Sequence, residues 1–273
     1  MTKPLIAPLD SMAAWQGATR IVSANADLLI AIAGVFFLLP LLVGAVFIAP
    51  PVIPPQVTQQ QLAQVMQEYY TRNLPYLLPL SLFQIVGFIT MLVCVLDRSR
   101  PTVGQALRNC AARVPAYFLA QVLIGIFALV LMMVVSGVLL GLRVPAPLAA
   151  GAGLAAVVYP LLRTIMVGPV LGVGRTHNPI MAIRASVALT RGNTARILAF
   201  LGLAMVVFLV VMSVVMMVVG LITAQLLGAE NESARLINEA ISALLYSVGY
   251  TYFVAMLAGI HGQLTADLPR PFL

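Results

Sequence analysis

Six long apolar stretches alternate with short polar ones along this chain. They cover about 27–49, 75–96, 116–141, 147–173, 197–226 and 238–262. The fifth opens ILAFLGLAMVVFLVVMSVVMMVVGL, with no charged residue. Each is close to or above the ~20 residues a helix needs to cross a hydrocarbon core. Backbone polar groups in lipid must be satisfied within their own segment, so all six are predicted to be α-helices.

The polar connections carry a helical pattern of their own. Asp10 can cap a helix bearing Met12, Trp15 and Thr19. Thr102 and Gln105 form a capping box after Pro101, and Val103, Leu107, Cys110 and Val114 follow at helical spacing. Asn178 can cap a third helix with Pro179 at its first position. There Ile180, Ile183 and Val187 share a face, with Arg184 and Arg191 off it. These stretches predict short amphipathic helices lying on the membrane surface. SMAAWQGATR (11–20), GQALR (104–108) and IMAIR (180–184) each stand just ahead of an apolar run. That suggests a unit of interfacial helix plus transmembrane hairpin, used three times. Between the first two runs, PPVIPP is stiff because proline fixes φ and donates no hydrogen bond. Thr58 and Gln61 then cap a further amphipathic helix with Leu62, Val65 and Tyr69, either a lid or an interfacial anchor.

Composition agrees with this pattern. Hydrophobic residues make up 62% of the chain and charged residues 8%, with a mean hydropathy of +1.04; a soluble domain carries about 25% charged residues. The net charge of +7 changes the picture only through its distribution. Lys3, Arg20, Arg98, Arg100, Arg108, Arg113, Arg175, Arg184, Arg191, Arg196 and Arg270 fall on one side of the alternating runs, and Arg72, Arg143 and Arg235 on the other. An excess of basic residues marks the cytoplasmic side, so both termini are expected in the cytoplasm. The external loops are then about 50–74, 142–146 and 227–237. About twenty-five mixed residues precede the first run, unlike a cleaved signal with its short basic start. The basic residues lack the dense, aromatic-interleaved arrangement of nucleic-acid binders, so no nucleic acid is expected.

Candidate chemistry is sparse. Cys94 and Cys110 fall on the reducing side, so no disulfide is expected. His177 and His261 stand alone, and no metal or cofactor is expected. No phosphate-binding loop, nucleophile elbow or HExxH motif occurs, and no cluster of titratable groups marks a catalyst. Arg163 stands out, since an arginine deep in a span costs about 2.5–3.5 kcal/mol. It either binds an anion or headgroup, pairs internally, or, if the fourth span ends near 164, snorkels to the interface. Tyr159, Gln84, Gln121, Asp27, Glu239 and carbonyls freed by Pro160 or Pro169 are its available partners. Glu239 either pairs with Arg235 one turn earlier or joins Gln121 on a polar path. Gly168/Gly172 and Gly137/Gly141 are spaced for close helix packing within the bundle.

The stretch NPIMAIRASVALTRGNTARI resembles the YciC-like bacterial inner-membrane family, which is related to the membrane domain fused to some glycerophosphoryl diester phosphodiesterases. The resemblance rests on Pro179, Ala182, Arg184, Ser186, Leu189, Thr190, Arg191, Gly192 and Asn193. The arginine in YPLLRTIMVGPV and the segment RPTVGQALRNCAARVP fit the same pattern, while Val187 stands where that family often has Trp. The resemblance implies business with phospholipids or their headgroups, without the fused catalytic domain.

The combined expectation is an all-α, six-span bacterial inner-membrane protein with three interfacial helices. It would be non-enzymatic and would bind, sense or move phospholipid or a small amphiphile, with Arg163, Tyr159, Arg184 and Arg191 at the anionic group. The alternatives are a small-solute transporter or channel using Glu239 and Gln121, and a structural or assembly partner of another membrane protein.

Overall fold

Three of the four capping residues read from the sequence start short helices. In a computed structural model, which describes residues 8–48, 51, 53, 56–97, 102–174, 176–228 and 231–266, Asp10 caps α1 (Ser11–Ala24) by accepting from the amides of Met12 and Ala13. Thr102 and Gln105 close a reciprocal capping box on α5 (Val103–Cys110). Asn178 caps α9 (Pro179–Leu189) through the amides of Ile180 and Met181. Lys3, Arg98, Arg100, Pro101, Arg175 and Arg270 lie outside the described residues.

Between these short helices run six helices long and apolar enough to cross a membrane. The protein is a multi-pass, all-α membrane protein, with no strand among the described residues. The first span comprises α2 (Ala26–Ala33), a π-helical stretch over Gly34–Leu38, and α3 (Leu39–Phe47). The wide turn ends just before Pro40, whose ring would clash with the carbonyl four residues back in an ordinary helix. The Leu39 amide bonds to the Gly34 carbonyl, one residue further back than usual.

The second span differs from its expected extent. α4 (Gln59–Leu96) is one helix of 38 residues, so the amphipathic segment after Thr58 continues into the span instead of forming a separate lid or anchor. Pro75 and Pro79 sit inside it without breaking it. At 1.5 Å per residue it is about 57 Å long, roughly twice a hydrocarbon core. Much of the expected external loop 50–74 is therefore helix. The third span is α6 (Arg113–Gly141). The fourth is broken into α7 (Ala146–Thr164) and α8 (Val167–Gly172), so the helix bearing Arg163 ends one residue after it. α10 (Thr194–Leu227) and α11 (Glu232–Thr265) complete the set, which reduces the expected external loop 227–237 to a few residues around Gly228.

Contacts group the described residues into two units, interleaved in sequence. One takes residues up to Ala26, Phe88–Val206 and Tyr252 onward; the other takes Asp27–Gly87 and Val207–Thr251. In the second unit, Phe36 packs on Phe83 at 4.6 Å and Phe37 on Tyr250 at 4.4 Å between ring centroids. Gly87 admits the Phe36 ring, and Gly249 admits Phe208.

In the first unit the helix-plus-hairpin pattern recurs three times at residue level. The fourth residue after each cap is a buried alanine: Ala14, Ala106 and Ala182. The eighth is a buried small residue: Ala18, Cys110 and Ser186. Each of these faces meets the second helix of a hairpin. Cys110 Sγ lies 3.2 Å from Thr90 Oγ1 of α4. Ser186 Oγ donates to the Arg163 carbonyl of α7 at 2.9 Å. A methyl added at Gly259 of α11 would stand 3.1 Å from the Ala14 carbonyl oxygen. So α5 packs on α4, α9 on α7 and α1 on α11. Small residues are needed there because the backbones approach closely.

Candidate functional site

The break between α7 and α8 is where residues of the 178–197 stretch pack. Pro169 has no amide hydrogen to give the Ile165 carbonyl one turn back, and the helix is interrupted at Ile165 and Met166. The break leaves backbone groups without helical partners. Ser186 supplies two of them, donating to the Arg163 carbonyl and accepting from the Met166 amide at 3.1 Å. Thr190 Oγ1 lies 3.2 Å from the same carbonyl and 3.0 Å from that of Ser186. Beyond the turn at Gly192 (φ +82°), Asn193 Oδ1 accepts from the Leu9 amide at 2.8 Å, tying the chain ahead of α1 to the start of α10.

The Arg163 guanidinium folds back over this junction. Nη2 donates to the Val187 carbonyl at 2.7 Å, and Nη1 lies 3.4 Å from the Tyr159 hydroxyl. Its Cζ is 5.8 Å from the Tyr159 ring centroid. Of the partners weighed from sequence, Tyr159 is found, together with a carbonyl of α9. Gln121 instead donates to the Tyr117 hydroxyl at 2.7 Å. The expected pair of Arg235 and Glu239 is also not formed. Arg235 bonds Glu232, one turn earlier, at 3.3 Å, in the one ion pair among the described residues. Glu239 is half-buried in the second unit, whereas Arg163 belongs to the first.

Val187 is in the last turn of α9, and Arg163 is one of three arginines that close a helix C-terminus. Arg113 donates to the carbonyl of Gly172, the last residue of α8, at 2.7 Å. Arg235 donates to Ala45, in the last turn of α3, at 3.0 Å. The final carbonyls of a helix lack internal donors and carry the negative end of its dipole, so a guanidinium satisfies both needs where water is scarce. Arg113 is 8% exposed and has no carboxylate partner among the described residues. A side chain at Gly174 (φ +83°) would occupy the space of its guanidinium. Arg113 and Arg163 each keep one unpartnered Nε–H. From sequence Arg113 read only as an orientation charge. The signal for its role was Gly174, where the missing side chain leaves room for a guanidinium against the backbone.

Arg184 and Arg191 behave differently. Both are exposed, and neither side chain has a hydrogen-bond or ion-pair partner among the described residues. They share the uncovered face of α9 and its following turn with Ile180, Met181 and Ala188. Tyr159 is 60% exposed. The residues of this stretch thus separate into a buried set (Ala182, Ser186, Leu189, Thr190, Asn193) that builds the junction and an exposed pair of cations.

Other sequence candidates fall as follows. Cys94 and Cys110 are free, buried thiols. Burial pushes the Cys110 thiol up, against the lowering effects of the Thr90 hydrogen bond and the Arg113 charge. His177 is exposed and His261 buried, and no group of three metal-binding side chains occurs among the described residues. Gly168 and Gly172 pack internally on Phe88 and Leu92, but Gly137 and Gly141 meet nothing within 4 Å. Two surface grooves are lined by Gln64, Gln67, Glu68, Thr71 and Arg72, and by residues of α1 with Ala26 and Tyr252; neither includes Arg163 or Glu239. No protein-family model, no curated protein and no solved structure matches this chain.

Proposed function

We propose that this is a non-enzymatic protein of the bacterial inner membrane that holds or moves anionic phospholipid or a similar amphiphile at the cytoplasmic interface, with both termini on that side. The observation that carries this reading is the α9 face. Two unpaired guanidinium groups, Arg184 and Arg191, stand among exposed apolar residues on a helix whose opposite side is locked into the α7–α8 junction. Each cation near an anionic leaflet contributes about 1 kcal/mol. Tyr159, exposed beside Arg163, adds a hydroxyl at the same junction. The resemblance of this stretch to the YciC-like family supports a connection with phospholipid.

Native mass spectrometry of the detergent-purified protein tests the proposal. The wild type is expected to retain anionic phospholipid, and the Arg184→Gln/Arg191→Gln double variant to lose most of it. Equal retention by the two proteins would remove the α9 face from the reading.

A further inference from the structure

The groove beside α1 was not anticipated from the sequence. It has a volume of about 530 Å³ and is lined by Gln16, Thr19, Arg20, Val22, Ser23, Ala26 and Tyr252. That volume is in the range of small-ligand sites, about 300–1,000 Å³. Thr19 and Ser23 spend their hydroxyl hydrogens on carbonyls of their own helix. Three donors remain: the Arg20 guanidinium, the Gln16 amide and the Tyr252 hydroxyl. None has a hydrogen-bond partner among the described residues. No carboxylate lines the groove, and the nearest acidic residue in sequence, Asp27, is not among its walls.

The walls are held in place by the docking of α1 on α11. Ala14 and Ala18 are fully buried, Gly259 lies against the α1 backbone, and Asp10 and Gln263 exchange hydrogen bonds at 3.2 Å in both directions. Trp15 stacks on Tyr252 at 6.1 Å between centroids, with the rings 17° from parallel. Unpaired donors without an acceptor, one of them a guanidinium, select an anion, and a planar fork of N–H groups suits phosphate. At its Val22 and Ala26 end the groove adjoins the start of the first apolar run, which suits a ligand that carries a tail.

We propose that this groove binds a phosphate-bearing anion, with Arg20 as its charged ligand and Gln16 and Tyr252 as further donors. The site lies on a different helix from Arg184 and Arg191, and it stands or falls independently of them. Trp15 is the single tryptophan of the chain, so its emission reports on the Tyr252 wall directly. The detergent-solubilised full chain is titrated with dihexanoyl phosphatidylglycerol, with dihexanoyl phosphatidylcholine and with inorganic phosphate, following Trp15 fluorescence. A saturable change with the anionic lipid or with phosphate is expected. It should be at least tenfold weaker in Arg20→Gln and several-fold weaker in Tyr252→Phe. Saturation by the lipid alone identifies a headgroup site, and saturation by both identifies a site for the phosphate itself. No saturable change with any probe, an undiminished response in Arg20→Gln, or equal affinity for the zwitterionic lipid would overturn the proposal. Arg20 is exposed and unpartnered, so its replacement leaves the fold intact. Matching emission of the unliganded proteins checks that point.

Discussion

Ser186→Ala isolates the junction that holds Arg163. The serine is fully buried, and its hydroxyl donates to the Arg163 carbonyl at 2.9 Å while accepting from the Met166 amide at 3.1 Å. Removing it has unequal consequences for the two partners. The Arg163 carbonyl keeps Thr190 Oγ1 as a donor at 3.2 Å, but the Met166 amide loses its only acceptor among the described residues. An unsatisfied buried donor costs about 1–3 kcal/mol, and a lost hydrogen bond about 0.5–1.5 kcal/mol. The expected destabilisation is therefore about 2–3 kcal/mol, or roughly 30- to 150-fold in the folding equilibrium. Thr190→Val is the contrasting variant. It keeps the shape, and each carbonyl that Thr190 serves retains another donor: Ser186 Oγ for Arg163, the Thr190 amide for Ser186, and Arg163 Nη2 for Val187. It should cost less than about 1 kcal/mol. Ser186→Cys should fall between, because Cys110 occupies the equivalent position in the preceding repeat and reaches Thr90. Unfolding by increasing SDS in mild detergent, followed by far-ultraviolet circular dichroism, measures all three. Ser186→Ala within 0.5 kcal/mol of wild type, or no better tolerated Thr190→Val, would refute the junction as the organising feature of this stretch.

Three further outcomes are expected. Gly174→Ala should destabilise more than Gly192→Ala in the same SDS assay, because both have positive φ, costing roughly 1–2 kcal/mol, but only Gly174 also meets the Arg113 guanidinium. In a Cys94→Ser background, Cys110 should react slowly with maleimide at pH 7, faster as pH rises and fastest after unfolding, since burial raises its thiol and so suppresses the reactive thiolate; rapid labelling of the folded protein at pH 7 would contradict that burial. Reporter fusions at residues 1 and 273 should both be cytoplasmic if the bias of arginines sets orientation; a periplasmic position for either would reverse or break the assigned topology.

The sequence by itself determined the helices. Apolar length and the cost of unsatisfied backbone in lipid place six spans, and three capping residues place the short helices between them, because caps and hydropathy are local properties. The faint likeness of GQALR, IMAIR and SMAAWQ also belonged to the sequence, since buried alanines recur at a fixed distance from each cap. The tertiary structure decided what the arginines do. Arg113 and Arg235 look the same in sequence as Arg184 and Arg191, and Arg163 differs only in lying within an apolar run; yet Arg113, Arg163 and Arg235 close the ends of helices far along the chain, and the other two face outward unpaired. It also decided that Thr58 opens a single long helix, that Arg235 meets Glu232 and not Glu239, and that α1 docks on α11 to form a groove. Which carbonyl a guanidinium reaches depends on the packing of distant segments, and hydropathy and helical spacing carry no information about that packing.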